Sequence, residues 1–141
     1  MDFMSLYSRF PDIAERETVS MVFPAAGVGV PAGRYVLLES YCTDDDCDCC
    51  KVMLNAVNVA VPDVIVATIG YGWESLEFYT KWMFGDKEIA KEMVGAHLEM
   101  GGRQSQYSRE FLKSFESWNN SKNVEVFKRH YKLFRSGAVP K

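Results

Sequence analysis

The four cysteines of the chain all fall within one short segment, residues 42–50, which we call the cysteine segment. Cys42, Cys47, Cys49 and Cys50 are interleaved there with aspartates in the run Cys-Thr-Asp-Asp-Asp-Cys-Asp-Cys-Cys. Thiolates are preferred ligands of zinc, which takes four ligands in a tetrahedral arrangement in structural sites. The spacings differ from those of the usual zinc-finger pairs, but a tight turn can place three of these sulfurs around one ion. We therefore predict a zinc site with these four cysteines as candidate ligands.

The fourth ligand is left open by the sequence. Cys50 is the nearest candidate, but neighbouring side chains on an extended chain point to opposite sides. Only a kink would bring both Cys49 and Cys50 to the same ion. The other candidates are His97, His130, Asp48 and a water molecule.

Two other chemical states of the cysteines stay open at this point. A disulfide between Cys42 and either Cys47 or Cys49 is feasible, although reducing compartments disfavour it. The cysteines could equally be free thiols beside an acidic turn. Whichever state holds, the aspartates between the cysteines favour a solvated turn.

The cysteine segment is not a calcium-binding EF-hand loop, because two positions that such a loop requires are not matched. Asp44, Asp46 and Asp48 have the spacing that opens an EF-hand loop. However, Cys49 stands where that loop needs glycine, and Asn55 stands where it needs a terminal glutamate.

The flanking residues predict strands that position the cysteine segment. Residues 34–42 are rich in Val, Leu and Tyr, and residues 51–61 alternate apolar with polar side chains, so the two form a hairpin with the cysteine segment at its tip. We also predict a strand over 17–23, a loop over 24–33 and an apolar strand over 64–71.

Helical periodicity begins at Glu74. We expect one helix from there to a C-cap at Gly85, and a second capped by Asp86. A helical or irregular lead-in over 1–16, a helix over 87–94, a loop over 95–106 and helices over 105–118 and 122–135 complete the prediction. The fold class is therefore α+β: an antiparallel sheet of about four strands followed by three to four C-terminal helices, in a single domain 1–141.

The composition and net charge limit the classes of partner that we expect the protein to bind. The 141 residues are 48% hydrophobic and 25% charged with a formal net charge of −3, as expected for one globular domain that is not primarily a nucleic-acid binder. No stretch reaches the roughly 20 apolar residues that a spanning helix needs, and no secretory leader pattern begins the sequence. We expect a cytoplasmic protein without a membrane segment. A protein partner and the oligomeric state remain open.

Two other runs could carry chemistry. Tyr71-Gly72-Trp73-Glu74 lies at a strand-to-helix junction, where Glu74 could act as an acid or base. The same residues could simply form a turn, with Trp73 filling the core. Lys128-Arg129-His130-Tyr131 could approach the metal or bind an anion, but such a run is more typical of a solvated helix face with Tyr131 turned inward.

The cysteine segment resembles that of a family of uncharacterised prokaryotic proteins, which carry Tyr-Cys-x-Asp-Pro-x-Cys-Asp-Cys-Arg between two strands. The resemblance extends through Gly72-Trp73-Glu74 and through three later runs: Phe78-Tyr79-x-Lys81-Trp82, Gln104-Ser105-x-Tyr107 and Lys128-Arg129-His130-Tyr131-x-Leu133-Phe134. This chain has Asp45 in place of the proline and Cys50 in place of the arginine. The second departure implies that Cys50 is not needed for what the other cysteines do. The family has no established activity, so the resemblance implies the segment and not a function.

The function that these observations favour is a non-enzymatic module in which a structural zinc holds the hairpin tip. Sites made almost entirely of thiolates leave no open position for a reacting water. No nucleophile elbow, phosphate loop or His-Glu-x-x-His motif is present in the sequence, so we do not expect an enzyme. The alternatives are a metal-dependent enzyme with an open zinc position and a redox or metal sensor in which Cys50 is a reactive thiol.

Overall fold

A computed structural model describes residues 2–24, 29–44 and 46–135. Residues 25–28 of the predicted loop, Asp45 of the resemblance and the two ends of the predicted domain lie outside the described residues. The fold class is α+β with an antiparallel sheet, as predicted.

The described residues form six strands and six helices. The strands are β1 Phe3–Ser5, β2 Ser20–Phe23, β3 Gly33–Cys42, β4 Lys51–Asn58, β5 Ile65–Gly72 and β6 Gly95–Leu98. The helices are α1 Leu6–Arg9, α2 Pro11–Glu17, α3 Leu76–Trp82, α4 Lys87–Lys91, α5 Ser108–Trp118 and α6 Ser121–Arg135.

The sheet has the order β1-β3-β4-β5-β6, and β2 also pairs with β3. Every pairing is antiparallel. In the β3–β4 pair, Tyr35 lies opposite Asn58 and Ser40 lies opposite Met53. The predicted hairpin is therefore confirmed, and the cysteine segment connects its two strands.

The sheet gains two short strands that the sequence did not reveal. β1 lies within the predicted lead-in and pairs with the end of β3. β6 lies within the predicted loop 95–106 and pairs with β5, with His97 opposite Gly70. Segments of three and four residues are too short to show a reliable alternation, so pairing with a neighbouring strand decides their structure. The predicted strand 17–23 was wrong at its start, because α2 continues through Glu17.

The connection between α3 and α4 contains Gly85 and Asp86, for which the sequence predicted capping roles. Gly85 has a φ of 90°, which a glycine adopts without a Cβ penalty, and its N–H donates to the carbonyl of Thr80 at 2.7 Å. The Asp86 carboxylate then accepts from the N–H of Ile89 at 3.1 Å as an N-cap. The predicted N-cap at Asp86 is confirmed, whereas the C-cap of α3 is Met83 and the predicted C-cap, Gly85, lies two residues beyond it.

The main core lies between one face of the sheet and the last two helices. Alternate residues of β3 point into it, and Tyr35 and Tyr41 are at most 1% exposed. Phe111 of α5 and Phe134 of α6 pack on this face of the sheet. Their ring centroids lie 5.3 Å from those of Tyr35 and Tyr41 respectively. Burying each large aromatic side chain stabilises the fold by about 1.5–3 kcal/mol.

The opposite face of the sheet is covered in part by α3 and α4, through Tyr79, Ala90 and Met93. The close approach depends on Gly72. A Cβ atom there would lie 2.1 Å from the carbonyl oxygen of Met93 and 2.7 Å from the Tyr79 hydroxyl. Because Gly72 has no side chain, Tyr79 of α3 and Met93, which follows α4, can lie directly against the end of β5.

Candidate metal centre

Three of the four predicted ligands come together in the structure. The sulfur atoms of Cys42, Cys47 and Cys49 all lie within 4.8 Å of one another. Cys42 ends β3, and the other two belong to the connection that leads into β4. Cys42 and Cys49 are fully buried, whereas Cys47 is half-buried. We call these residues the three-thiol cluster; they are close enough to bind one metal ion.

The turn at the start of the segment brings Cys47 back towards Cys42. The Asp44 side chain accepts a hydrogen bond from the N–H of Asp46 at 3.2 Å, and the Asp44 carbonyl accepts from the N–H of Cys47 at 3.0 Å. Aspartate favours such turns because its carboxylate can bond to the backbone two residues on. The predicted turn-forming role of the aspartates is confirmed for Asp44.

Without a cation the cluster resists ionisation. Burial raises the pKa of the Cys49 thiol well above its usual range, and negative charge on Cys47 or Cys42 would raise it further. Burial also raises the pKa of the Cys47 thiol, with Cys42 adding to the effect. Metal ions bind thiolates, so a bound ion would offset this repulsion and metal binding would release protons. The cysteines are not joined by disulfides.

The end of α6 holds the cysteine segment by its backbone. The Arg135 guanidinium donates to the carbonyl of Cys47 at 2.8 Å and also to the carbonyl of Cys42. The Tyr131 hydroxyl donates to the same Cys47 carbonyl at 3.3 Å, and the guanidinium lies over the Tyr131 ring, 5.1 Å from its centroid. Two residues one helical turn apart therefore fix the positions of two candidate ligands.

Cys50 does not join the three-thiol cluster in the described residues. The backbone is kinked at Cys50, which has a left-handed φ of 50°. Its carbonyl accepts from the Tyr79 hydroxyl at 2.8 Å and from the N–H of Trp73 at 3.2 Å. The backbone of Cys50 is therefore held by α3 and by the residue that follows β5. Burial raises the pKa of the Cys50 thiol, and the charge of Glu74 adds to the shift. Cys50 as the fourth ligand stays a prediction.

The other candidate ligands are engaged elsewhere. The ring nitrogens of His130 lie 2.7 Å from Glu39 and 2.7 Å from Glu17. The Asp48 carboxylate accepts from the Trp82 indole at 2.7 Å. His97 lies on β6, where its ring contacts the Gly95 carbonyl and the Glu99 carboxylate. Within the described part of the chain, none of the three joins the cluster.

The burial of the run 128–131 on α6 differs in part from the prediction of a solvated helix face. Tyr131 is turned inward, at 8% exposure, as expected. His130, however, is fully buried instead of lying on a solvated face. The sequence offered no sign of its partners, because Glu17 and Glu39 lie about a hundred positions earlier. Arg135 was missed as a contact of the cysteine segment for the same reason.

The junction after β5 supports the turn interpretation. Trp73 packs edge-on against the ring of Tyr131, with centroids 5.2 Å apart. The Ser75 side chain accepts from the N–H of Phe78 at 3.1 Å and caps α3. Trp73 therefore contributes to packing beside the cysteine segment.

Comparison of the chain with protein-family models, with curated proteins and with solved structures finds no match. The fold and the cluster thus define a small α+β protein with three cysteines arranged to bind a metal ion. None of the helices in residues 2–24, 29–44 and 46–135 combines the length and apolar character required to cross a bilayer.

Proposed function

We propose that this protein is a zinc-binding module whose ion is held by Cys42, Cys47 and Cys49 and has a structural role. The observation that carries the proposal is the convergence of three sulfurs within 4.8 Å of one another. Soft thiolate ligands favour zinc over calcium or magnesium, which prefer oxygen. The bound ion would join the end of β3 to the start of β4 at the hairpin tip.

Burial supports a structural role over a catalytic one. Cys42 and Cys49 have no solvent exposure, and Arg135 fixes the backbone on either side of the cluster. An enzyme would need an open coordination position and a nearby base. Both histidines of the chain are held in carboxylate contacts instead. The sensor alternative is also disfavoured, because burial raises the pKa of the Cys50 thiol and so reduces its thiolate form.

The proposal extends to the location of the protein, its family resemblance and its partner. Reduced, metal-binding cysteines are consistent with a cytoplasmic location, because thiols are kept reduced in the cytoplasm. The resemblance to the uncharacterised prokaryotic family is proposed on the residues of the cysteine segment. An unidentified protein partner would bind a surface whose conformation is stabilised by the bound zinc.

Cobalt(II) titration of the metal-free protein tests the proposal. Thiolate-bound cobalt absorbs through sulfur-to-metal charge transfer, so saturation at one equivalent and displacement by zinc are expected. The single variants Cys42→Ser, Cys47→Ser and Cys49→Ser should each weaken binding and reduce the absorbance. The absence of a charge-transfer band in the wild-type protein would refute the site.

Cys50→Ser is the matched variant, because it changes the same element outside the three-thiol cluster. An unchanged spectrum would assign the fourth position to water or another ligand. A reduced charge-transfer intensity would assign it to Cys50.

A further inference from the structure

The sheet ends at β6, and no strand of the described residues lies along its outer edge. The N–H of Glu99 donates to the carbonyl of Thr68 on β5 at 3.0 Å, so the odd-numbered residues of this segment direct their backbone groups towards β5. Successive residues of an antiparallel strand direct these groups to opposite sides. The N–H and C=O groups of Ala96 and Leu98 therefore face away from β5, and such an edge can accept one more strand.

The two ends of β6 carry opposite charges. Glu92 comes before the strand and Arg103 comes after the turn that follows it, and both residues are exposed. Within the part of the chain that the structure describes, neither side chain forms an ion pair, and the neighbouring Lys91 pairs with Glu88 at 3.2 Å. Glu92 directly follows α4, and the N–H of Arg103 donates to the Thr68 hydroxyl at 2.9 Å. Both residues therefore lie on the sheet face that α3 and α4 partly cover.

The same two ends carry a projecting apolar side chain and an apolar wall. Met100, in the turn after β6, is 97% exposed. A cleft of about 440 Å³ lies beside the strand, and Ile89, Met93 and Leu98 contribute to its apolar wall. Ile89, on α4 at the other end of β6, is 42% exposed. Exposed apolar groups with a polar rim are typical of interaction surfaces.

We propose that β6 pairs with β6 of a second copy of this chain, antiparallel about a two-fold axis at His97. Ala96 of each copy then lies opposite the partner's Leu98, and the free backbone groups of these residues form four hydrogen bonds. The two sheets become one continuous sheet across the dimer. None of the cysteines belongs to this surface, so the dimer proposal stands apart from the zinc proposal.

The antiparallel arrangement places unlike ends of β6 side by side. The end that carries Glu92 in one copy lies beside the end that carries Arg103 and Met100 in the other, and the two-fold axis repeats the contact. Each carboxylate gains a guanidinium of opposite charge, and each methionine gains the apolar wall at Ile89. A strand from an unrelated protein would match the backbone groups of β6 equally well, but a second copy supplies both flanking contacts twice.

Sedimentation equilibrium of the zinc-loaded protein tests the proposal. Four backbone hydrogen bonds with two ion pairs and two methionine contacts make a small interface, so we expect a dissociation constant on the order of 10 µM. Between about 1 and about 300 µM protein, the average mass should rise from that of one chain towards that of two. A protein that stays monomeric over this range would overturn the proposal, and the edge would then be free or taken by a different chain.

Charge reversal tests the arrangement of the two ends. Glu92→Arg and Arg103→Glu should each weaken dimerisation about tenfold or more, because each places like charges together. The double variant should restore the wild-type affinity to within about threefold. Glu116→Arg makes the same change at an exposed position on α5 and should alter the affinity less than about twofold. Single variants that dimerise like the wild type, or a double variant that is not restored, would contradict the pairing.

The methionine contact has its own matched variants, both at exposed positions that should not disturb the fold. Met100→Asp removes the projecting apolar side chain, whereas Phe84→Asp introduces the same charge at a position that is 99% exposed and outside the cleft lining. Dimerisation should weaken about tenfold or more in Met100→Asp and less than about twofold in Phe84→Asp. Equal affinities of the two variants would place the interface elsewhere and overturn the proposal.

Discussion

Nη1 of Arg135 donates a hydrogen bond of 2.8 Å to the carbonyl oxygen of Cys47, across a separation of 88 positions in the chain. The same guanidinium also bonds the carbonyl of Cys42. A planar group with several fixed donors can hold two carbonyls at once. The last turn of α6 is thus part of the scaffold of the metal centre.

Arg135→Ala should therefore destabilise the protein and weaken zinc binding. Loss of two charge-assisted hydrogen bonds is expected to lower the unfolding free energy by about 2–4 kcal/mol. Arg135→Lys should recover only part of this loss, because an ammonium group cannot reproduce the fork. Urea unfolding in excess zinc and competition with a chelator measure the two effects. Lys132→Ala, an exposed change on the same helix, is the control; an equal effect there would contradict the role of Arg135.

The buried contacts of His130 predict a second large effect. His130 and the Glu39 side chain are both fully buried, and Oε2 of Glu39 has no hydrogen-bond partner in the described structure. Removing the imidazole would leave a buried carboxylate uncompensated, so His130→Ala should cost about 3–5 kcal/mol of unfolding free energy. Arg129→Ala is the matched control, since it contacts Glu17 from a side chain that is 56% exposed, and it should cost at most about 1 kcal/mol. Comparable losses in urea unfolding would contradict this account.

The pH dependence of that contribution has a defined sign. Burial opposes the charge of His130, but its hydrogen bonds and ion pairs with Glu39 and Glu17 outweigh burial and raise its pKa. The stabilisation is therefore complete below the unfolded-state pKa of about 6.5 and is lost as the pH rises through the higher folded-state value. The stability gap between the wild-type protein and His130→Ala should narrow as unfolding is measured at increasing pH above about 6.5. A gap that widens with pH would be the opposite of this prediction.

Gly70 and Gly101 should respond differently to substitution by alanine. Gly70→Ala would place a methyl group 2.1 Å from the Glu99 oxygen, so the His97–Glu99 pair must move. We expect a loss of about 1–3 kcal/mol, as for other overpacked positions. Gly101→Ala meets no atom within 4 Å and should be neutral or slightly stabilising. Thermal unfolding of both variants checks the prediction, and a harmless Gly70→Ala would show that the pair is loosely held.

The sequence was informative where chemistry is local. The strands beside Cys42 and Lys51 were predicted because their alternation extends over most of each strand. The N-cap at Asp86 was predicted because an aspartate side chain can accept a hydrogen bond from the first turn of a helix. The three-thiol cluster was predicted because all its members lie on one connection.

What sequence reasoning missed depends on distant partners. The four residues of β6 become a strand through pairing with β5, and Arg135 meets Cys47 only after α6 packs on the sheet. His130 was read as part of a solvated run because its two glutamates lie on α2 and β3. Such relationships follow from the tertiary arrangement, which local periodicity does not contain.

Binding of one zinc ion by Cys42, Cys47 and Cys49 can be measured directly. The direct measurement is the metal content of the protein, purified without added metal under reducing conditions, by elemental mass spectrometry together with a count of reactive thiols. The account predicts one zinc per chain, lost in Cys49→Ser, with thiols that become fully reactive only after chelation. A metal-free protein that does not take up added zinc and has four freely reactive thiols would contradict it.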